Sequence, residues 1–306
     1  MKYQMNMPVV SGRNEHGTVT KQMNTAQLVA VFGIGLTLMG LTLMSCSDGS
    51  GSVDNARAQT TGRDFVAPTV FQAAGPNIAS IQNTVDQYRT ALGATNNGNA
   101  AGPLPNGRRE INWDGGGSAA TSVVGTPFNG FLASRGALFT TTGTGFVQAP
   151  LAGIADTFHN PTYATIFQPF SLLRLFSPID SNVTEAQFFV PGGGDVPAPA
   201  TTTGFGVVFS DVDLPNGSGP GDKNGNRKAS TLIECFGTDG GLVFSSFVPA
   251  SPGDGSLSFF GIVFGEARIA RVRITSGDTT PGPNDDETHD VVMMDDFLYG
   301  EPQPLQ

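Results

Sequence analysis

The chain is poor in the residues that chemistry most often uses. Its 306 residues include two cysteines, three histidines and one tryptophan, and only 14% are charged. Two cysteines exclude a disulfide framework and a cysteine-rich zinc site. Three histidines, one of them His16 near the N-terminus, leave little for zinc. Lysine is scarcer still beyond residue 45, where only Lys223 and Lys228 occur. With a net charge of −10, the chain lacks the phosphate-neutralising patch that nucleic-acid binding requires. No G-x-S-x-G elbow occurs, His159 sits in the turn-like FHNPTY, and Cys235 has no thiol partner in its strand. No catalytic residue is therefore assigned. What is plentiful is glycine (41), proline (21) and phenylalanine (22). The phenylalanines, with the Val, Leu and Ile, supply a sizeable core and exclude global disorder.

Ala26 to Met44 is a nearly uninterrupted apolar run preceded by Lys21, the basic-then-apolar order of a secretory signal. It closes on Leu43-Met44-Ser45-Cys46, which resembles the lipobox of bacterial lipoproteins. The resemblance implies that residues 1–45 are a signal peptide, and that Cys46 is lipidated through its thiol and becomes the new N-terminus. The product would be held to the membrane by its lipid, on the outer membrane or cell surface. Ser47, rather than Asp, after the cysteine points to the outer membrane under the enterobacterial sorting rule. Nineteen apolar residues also suffice to span a bilayer, so an uncleaved anchor stands as the alternative. Residues 46–76 read as a flexible tether, most clearly in the small, polar stretch from Ser47 to Asp64.

One amphipathic helix follows, over 77–92. Ile78, Ile81, Val85, Tyr88 and Leu92 recur at intervals of three and four, Asn77 is the N-cap and Gly93 the stop. Asp86 and Arg89 pair across one turn. From Arg109 the pattern changes to short apolar runs bounded by Gly, Pro, Asn and Asp, among them TGFGVVFSDVD, STLIECFG, SLSFFGIVF, RIARVRITSG and DVVMMDDFLYG. Such a series predicts an all-β antiparallel sandwich over 77–302, with 303–306 as a tail. In the Arg-bearing strand Ala270, Val272 and Ile274 share one face, and Arg271 and Arg273 the other. Thr231, Ile233 and Cys235 likewise alternate against Leu232, Glu234 and Phe236.

The run SFFGIVFGEARIARVRITSG, followed after a polar loop by VVMMDDFLYGE, resembles the closing strands of jelly-roll β-sandwiches found in bacterial secreted proteins and carbohydrate-binding modules. Gly107 to Gly117, GRREINWDGGG, resembles a segment that recurs in uncharacterised secreted proteins of that kind. The resemblance implies a jelly-roll fold and a structural calcium held by an Asp of the last strand with a partner from the first. Asp295 or Asp296, with Asp114, are the residues so placed, although strand alternation puts Asp295 and Asp296 on opposite faces. A second acidic group, Asp211, Asp213 and Asp222, lies in DVDLPNGSGPGDKNGN. Its D-x-N-x-N start fits a calcium loop, but Arg227 stands where that loop needs Gly. Asp285, Asp286, Glu287 and Asp290 read as a solvated hairpin tip. Trp113 is the one aromatic singled out as a sugar platform.

Together these readings point to a non-enzymatic envelope lipoprotein that binds a polysaccharide or other surface component and is stabilised by calcium. The alternatives are a polysaccharide hydrolase or lyase on the same scaffold, and a purely structural envelope protein.

Overall fold

A computed structural model describes residues 67–115, 120–192, 197–214, 231–283 and 289–305. Contacts divide the chain into Met1–Thr60 and Thr61–Gln306, and all described residues belong to the second unit. The signal region and Cys46 lie outside them. Among the described residues no helix is long and apolar enough to cross a membrane.

The body is an antiparallel β-sandwich. Its first sheet has eight strands. Seven run in the order β1 (Thr69–Gly75), β12 (Leu257–Val263), β9 (Gly204–Ser210), β14 (Met293–Gly300), β6 (Leu175–Ile179), β5 (Gly145–Ala149) and β3 (Ser122–Gly125). The eighth, β2 (Arg108–Ile111), also pairs with β14, through Phe297 opposite Ile111. The second sheet has five: β11 (Leu242–Phe247), β10 (Leu232–Phe236), β13 (Arg271–Thr275), β7 (Val183–Phe188) and β4 (Ala137–Thr140). One apolar core fills the space between the sheets. It joins Phe146, Phe176, Phe205, Phe209, Phe260 and Phe297 from the first to Phe139, Phe188, Ile233, Val272 and Ile274 from the second.

The first sheet is covered on its other face as well. There α1 (Ile78–Leu92) lays Ile81, Val85, Tyr88 and Leu92 on Val208, Leu257, Phe259 and Leu298. This is the stripe that the sequence spacing predicts. Asn77 caps the helix by accepting from the Ser80 N–H. Tyr88 drops into a socket made by two facing glycines, Gly206 and Gly261. A Cβ on either would come within 2.8 Å of its ring, so any side chain there would expel the tyrosine. The Tyr88 hydroxyl donates to the Ile262 carbonyl at the floor. Farther along the same face, α3 (Leu151–Phe158) and α4 (Tyr163–Ile166) bury Ile154, Phe158 and Tyr163 against Val147, Leu175 and Met293. A four-residue helix, α2 (Leu132–Arg135), precedes β4.

Three expectations are corrected. The tether does not extend to residue 76, because Thr69–Gly75 is the edge strand β1, zipped along its whole length to β12. The tail is not free: in β15 (Gln303–Pro304) it pairs with β8 (Ala200–Thr201). And α1 is not the only helix. LAGIADTF forms α3 because Ile154 and Phe158 fall one turn apart, and His159 ends it in the left-handed region at φ 53°.

Candidate functional site

The residues singled out for metal binding converge, though not as alternation requires. Between Met294 and Phe297 the last strand advances three residues while its neighbour β9 advances two, from Phe209 to Val207. This bulge breaks the alternation, and Asp295 and Asp296 both become buried, 0% and 3% exposed. Ser171 lies beside both carboxyls and beside Asp114. Asp295 accepts from the N–H groups of Phe170 (2.6 Å) and Ser171 (3.1 Å) and from the Ser171 hydroxyl (3.0 Å). Asp296 accepts from the Arg89 guanidinium at 3.1 Å. Asp114 accepts from the Arg174 N–H and the Asn112 amide.

Burial sets the proton affinity of this node. It pushes the Asp295 carboxyl well up, helped by neighbouring Asp296 and opposed by the three donors. It pushes Asp296 up to about 6 against the pull of Arg89, and it also raises Asp114. The oxygens of Asp295 and Asp114 are turned to N–H and O–H donors, which compete with a cation for the same lone pairs, whereas Asp296 Oδ1 is buried without a partner. Among the described residues no three or more His, Cys, Asp or Glu side chains form a ready cage for a metal. Two of the three residues in the Asp114, Asp295 and Asp296 set thus spend their oxygens on protein donors. The set ties the Phe170–Arg174 loop to the first sheet.

Trp113 is likewise no sugar platform. It is 0% exposed and lies flat on Phe176 with ring centroids 3.7 Å apart. Its indole N–H donates to the Asp295 carbonyl. Its neighbour in the same motif, Arg109, makes a fully buried ion pair with Glu301 at 2.6 and 2.7 Å and donates to the carbonyls of Gly98, Ala100 and Ser134. Arg108 to Asp114 is thus a framework segment, with Arg109, Ile111 and Trp113 buried.

Asp211 and Asp213 follow β9 directly, whereas Asp222 lies outside the described residues, as do Asp285, Asp286 and Glu287. Asp290, expected at a solvated tip, is buried. It accepts from the N–H groups of Asp213 and Leu214 and is pushed up to about 7 by that burial. Cys235 is buried in the core and its thiol is pushed up by the same desolvation. His289 pairs with Asp278 at 3.4 Å.

No family model matches the chain, nor does any curated protein or solved structure.

What the geometry offers is the outer face of the second sheet. Every residue of β9 and β14 is buried, but β10, β13 and β7 alternate between buried and half-exposed. Two rows cross that face. One runs Phe236, Arg271, Gln187, Leu138 and the other Glu234, Arg273, Glu185, Thr140. Arg271 lies over the Phe236 ring at 3.9 Å, and both arginines reach Glu185 at 2.7 Å. The four charges balance within the face. Both arginines thus pair with a glutamate of the neighbouring strand β7. Alternation alone had already set Arg271, Arg273, Glu234 and Phe236 on outward positions. What it could not supply was which strands lie side by side.

Proposed function

We propose that the chain is an exported, lipid-anchored envelope module of jelly-roll type, and that it binds a neutral glycan or a similar polyhydroxylated surface component without turning it over. The observation that carries this reading is that the central strands of one sheet, β9 and β14, are covered on both faces while β10, β13 and β7 of the other present a half-exposed one. That half-exposed face combines an aromatic ring with guanidinium, carboxylate and amide groups in register. Such a surface recognises hydroxyls through charge-assisted hydrogen bonds and the apolar side of a sugar through the ring. Its balanced charge suits a neutral ligand. The Ala26–Met44 run and Cys46 support export and anchoring.

The test is a glycan array and polysaccharide pull-down with the full chain and with Phe236→Ala and Arg273→Ala. Retention by the parent at millimolar sugar, lost in both variants but kept in Asp295→Asn, is the expected result. No retention by the parent sinks the reading and favours a purely structural envelope protein. Release of reducing ends from the panel would instead indicate the hydrolase or lyase.

A further inference from the structure

The turn that follows β9 carries an unusual imbalance. Asp211 is 6% exposed, and its Oδ1 is buried without a hydrogen-bond partner. The carboxyls that act on it are all of its own sign: Asp213, Asp254 and Asp290. Among the described residues no lysine or arginine forms an ion pair with any of these four. The segment facing Asp211 repeats the pattern. The Asp211 N–H donates to the Ser256 carbonyl, while the Ser256 hydroxyl, in a residue 2% exposed, is itself without a partner. Two buried oxygens thus stand unsatisfied on two strand ends that are bonded to each other. An orphaned buried carboxylate oxygen costs several kcal/mol as a rule, and a protein keeps one where something else engages it.

We propose that this turn binds a single hard divalent cation of the calcium class through Asp211. Asp254 supplies a second carboxylate, since Asp213 Oδ1 already holds the Gly253 N–H, and backbone carbonyls and water complete the shell. Calcium takes six to eight oxygens and accepts carbonyl and water ligands freely, so two carboxylates suffice and no three-carboxylate cage is needed. Asp290 is not a ligand in this arrangement, because both of its oxygens hold the Asp213 and Leu214 N–H groups and so shape the loop. The site is separate from the Asp114, Asp295 and Asp296 node, where Asp296 Oδ1 also lacks a partner but the Arg89 guanidinium neutralises the carboxyl that bears it. It is also independent of the glycan reading, since it lies at the end of the covered sheet.

The test is equilibrium dialysis with radioactive calcium and thermal unfolding of chelator-treated full chain, with magnesium at equal ionic strength as the comparison. One calcium per chain is expected, with a saturable rise in melting temperature that magnesium does not match. Asp211→Asn should abolish binding. Asp254→Asn, at an exposed position that leaves folding intact, should weaken it about tenfold through the lost ligand charge. Asp295→Asn should leave it unchanged. Absence of stoichiometric calcium in the parent, or full binding by Asp211→Asn, overturns the proposal. So does an Asp211→Asn chain that melts higher than the parent in both the presence and absence of calcium, which would show a carboxyl kept neutral by its own proton.

Discussion

The two sheets of this sandwich use the same residue types to opposite ends. In the first, Arg109 is sealed among carbonyls and Glu301, and the aspartates of β14 are buried at a bulge. In the second, Arg271 and Arg273 lie on an open face with Glu185. The difference arises from what covers each sheet. Helices α1, α3 and α4 occupy the outside of the first, so the charged groups of β2 and β14 find internal partners such as Glu301, Arg89 and Ser171. Nothing among the described residues covers the second, so its outward residues are free to be polar. Charge in the first sheet is spent inside the fold, and charge in the second faces outward.

The largest test of this contrast is Arg109→Met. It leaves Glu301 buried without its counter-ion and should cost about 3–5 kcal/mol in urea unfolding. A loss no greater than that of a surface arginine would break the comparison. A mid-sized effect is expected from pH. The Asp296 carboxyl has its affinity raised to about 6 in the folded chain, chiefly by burial, with Arg89 opposing and Glu110 assisting. The folded state therefore holds a proton that the unfolded state has released. The stability from this group is greatest in acid and is lost as pH rises from the ordinary carboxylate range through about 6. Melting temperature followed between those limits should fall in the parent and fall less in Asp296→Asn. An equal slope in both would assign the effect elsewhere. The smallest effect belongs to Arg273→Ala on the open face, where an exposed pair contributes within about 0.5 kcal/mol. Its unfolding curve should overlay that of the parent, and a shift of several kcal/mol would mean that the face is structural.

Much of this organisation is legible in the sequence because periodicity is local. The α1 stripe and the alternation in β10 and β13 need only their own residues. Even Trp113 was within reach: Ile111 in the alternating R-R-E-I-N-W run marks the inward positions, which sets Arg109 and Trp113 beside it. An aromatic count alone cannot tell inside from outside. Other features depend on partners far along the chain. The Arg109–Glu301 pair joins residues 192 apart. The bulge at Asp295 exists only relative to β9, and a regular alternation rule has no place for it. β1 escaped because TVFQAAG is a small-residue edge strand, with one partner and little apolar signal.

Cys235 gives the second sheet a built-in clock. It is the only free thiol among the described residues, and it is buried on β10 between β11 and β13. A thiol reagent can reach it only when those strands part. The rate of labelling in native buffer therefore times how often the sheet breathes, and it does so without any engineered probe. Comparing that rate with and without a bound glycan would read occupancy of the outer surface from an atom on the inner one.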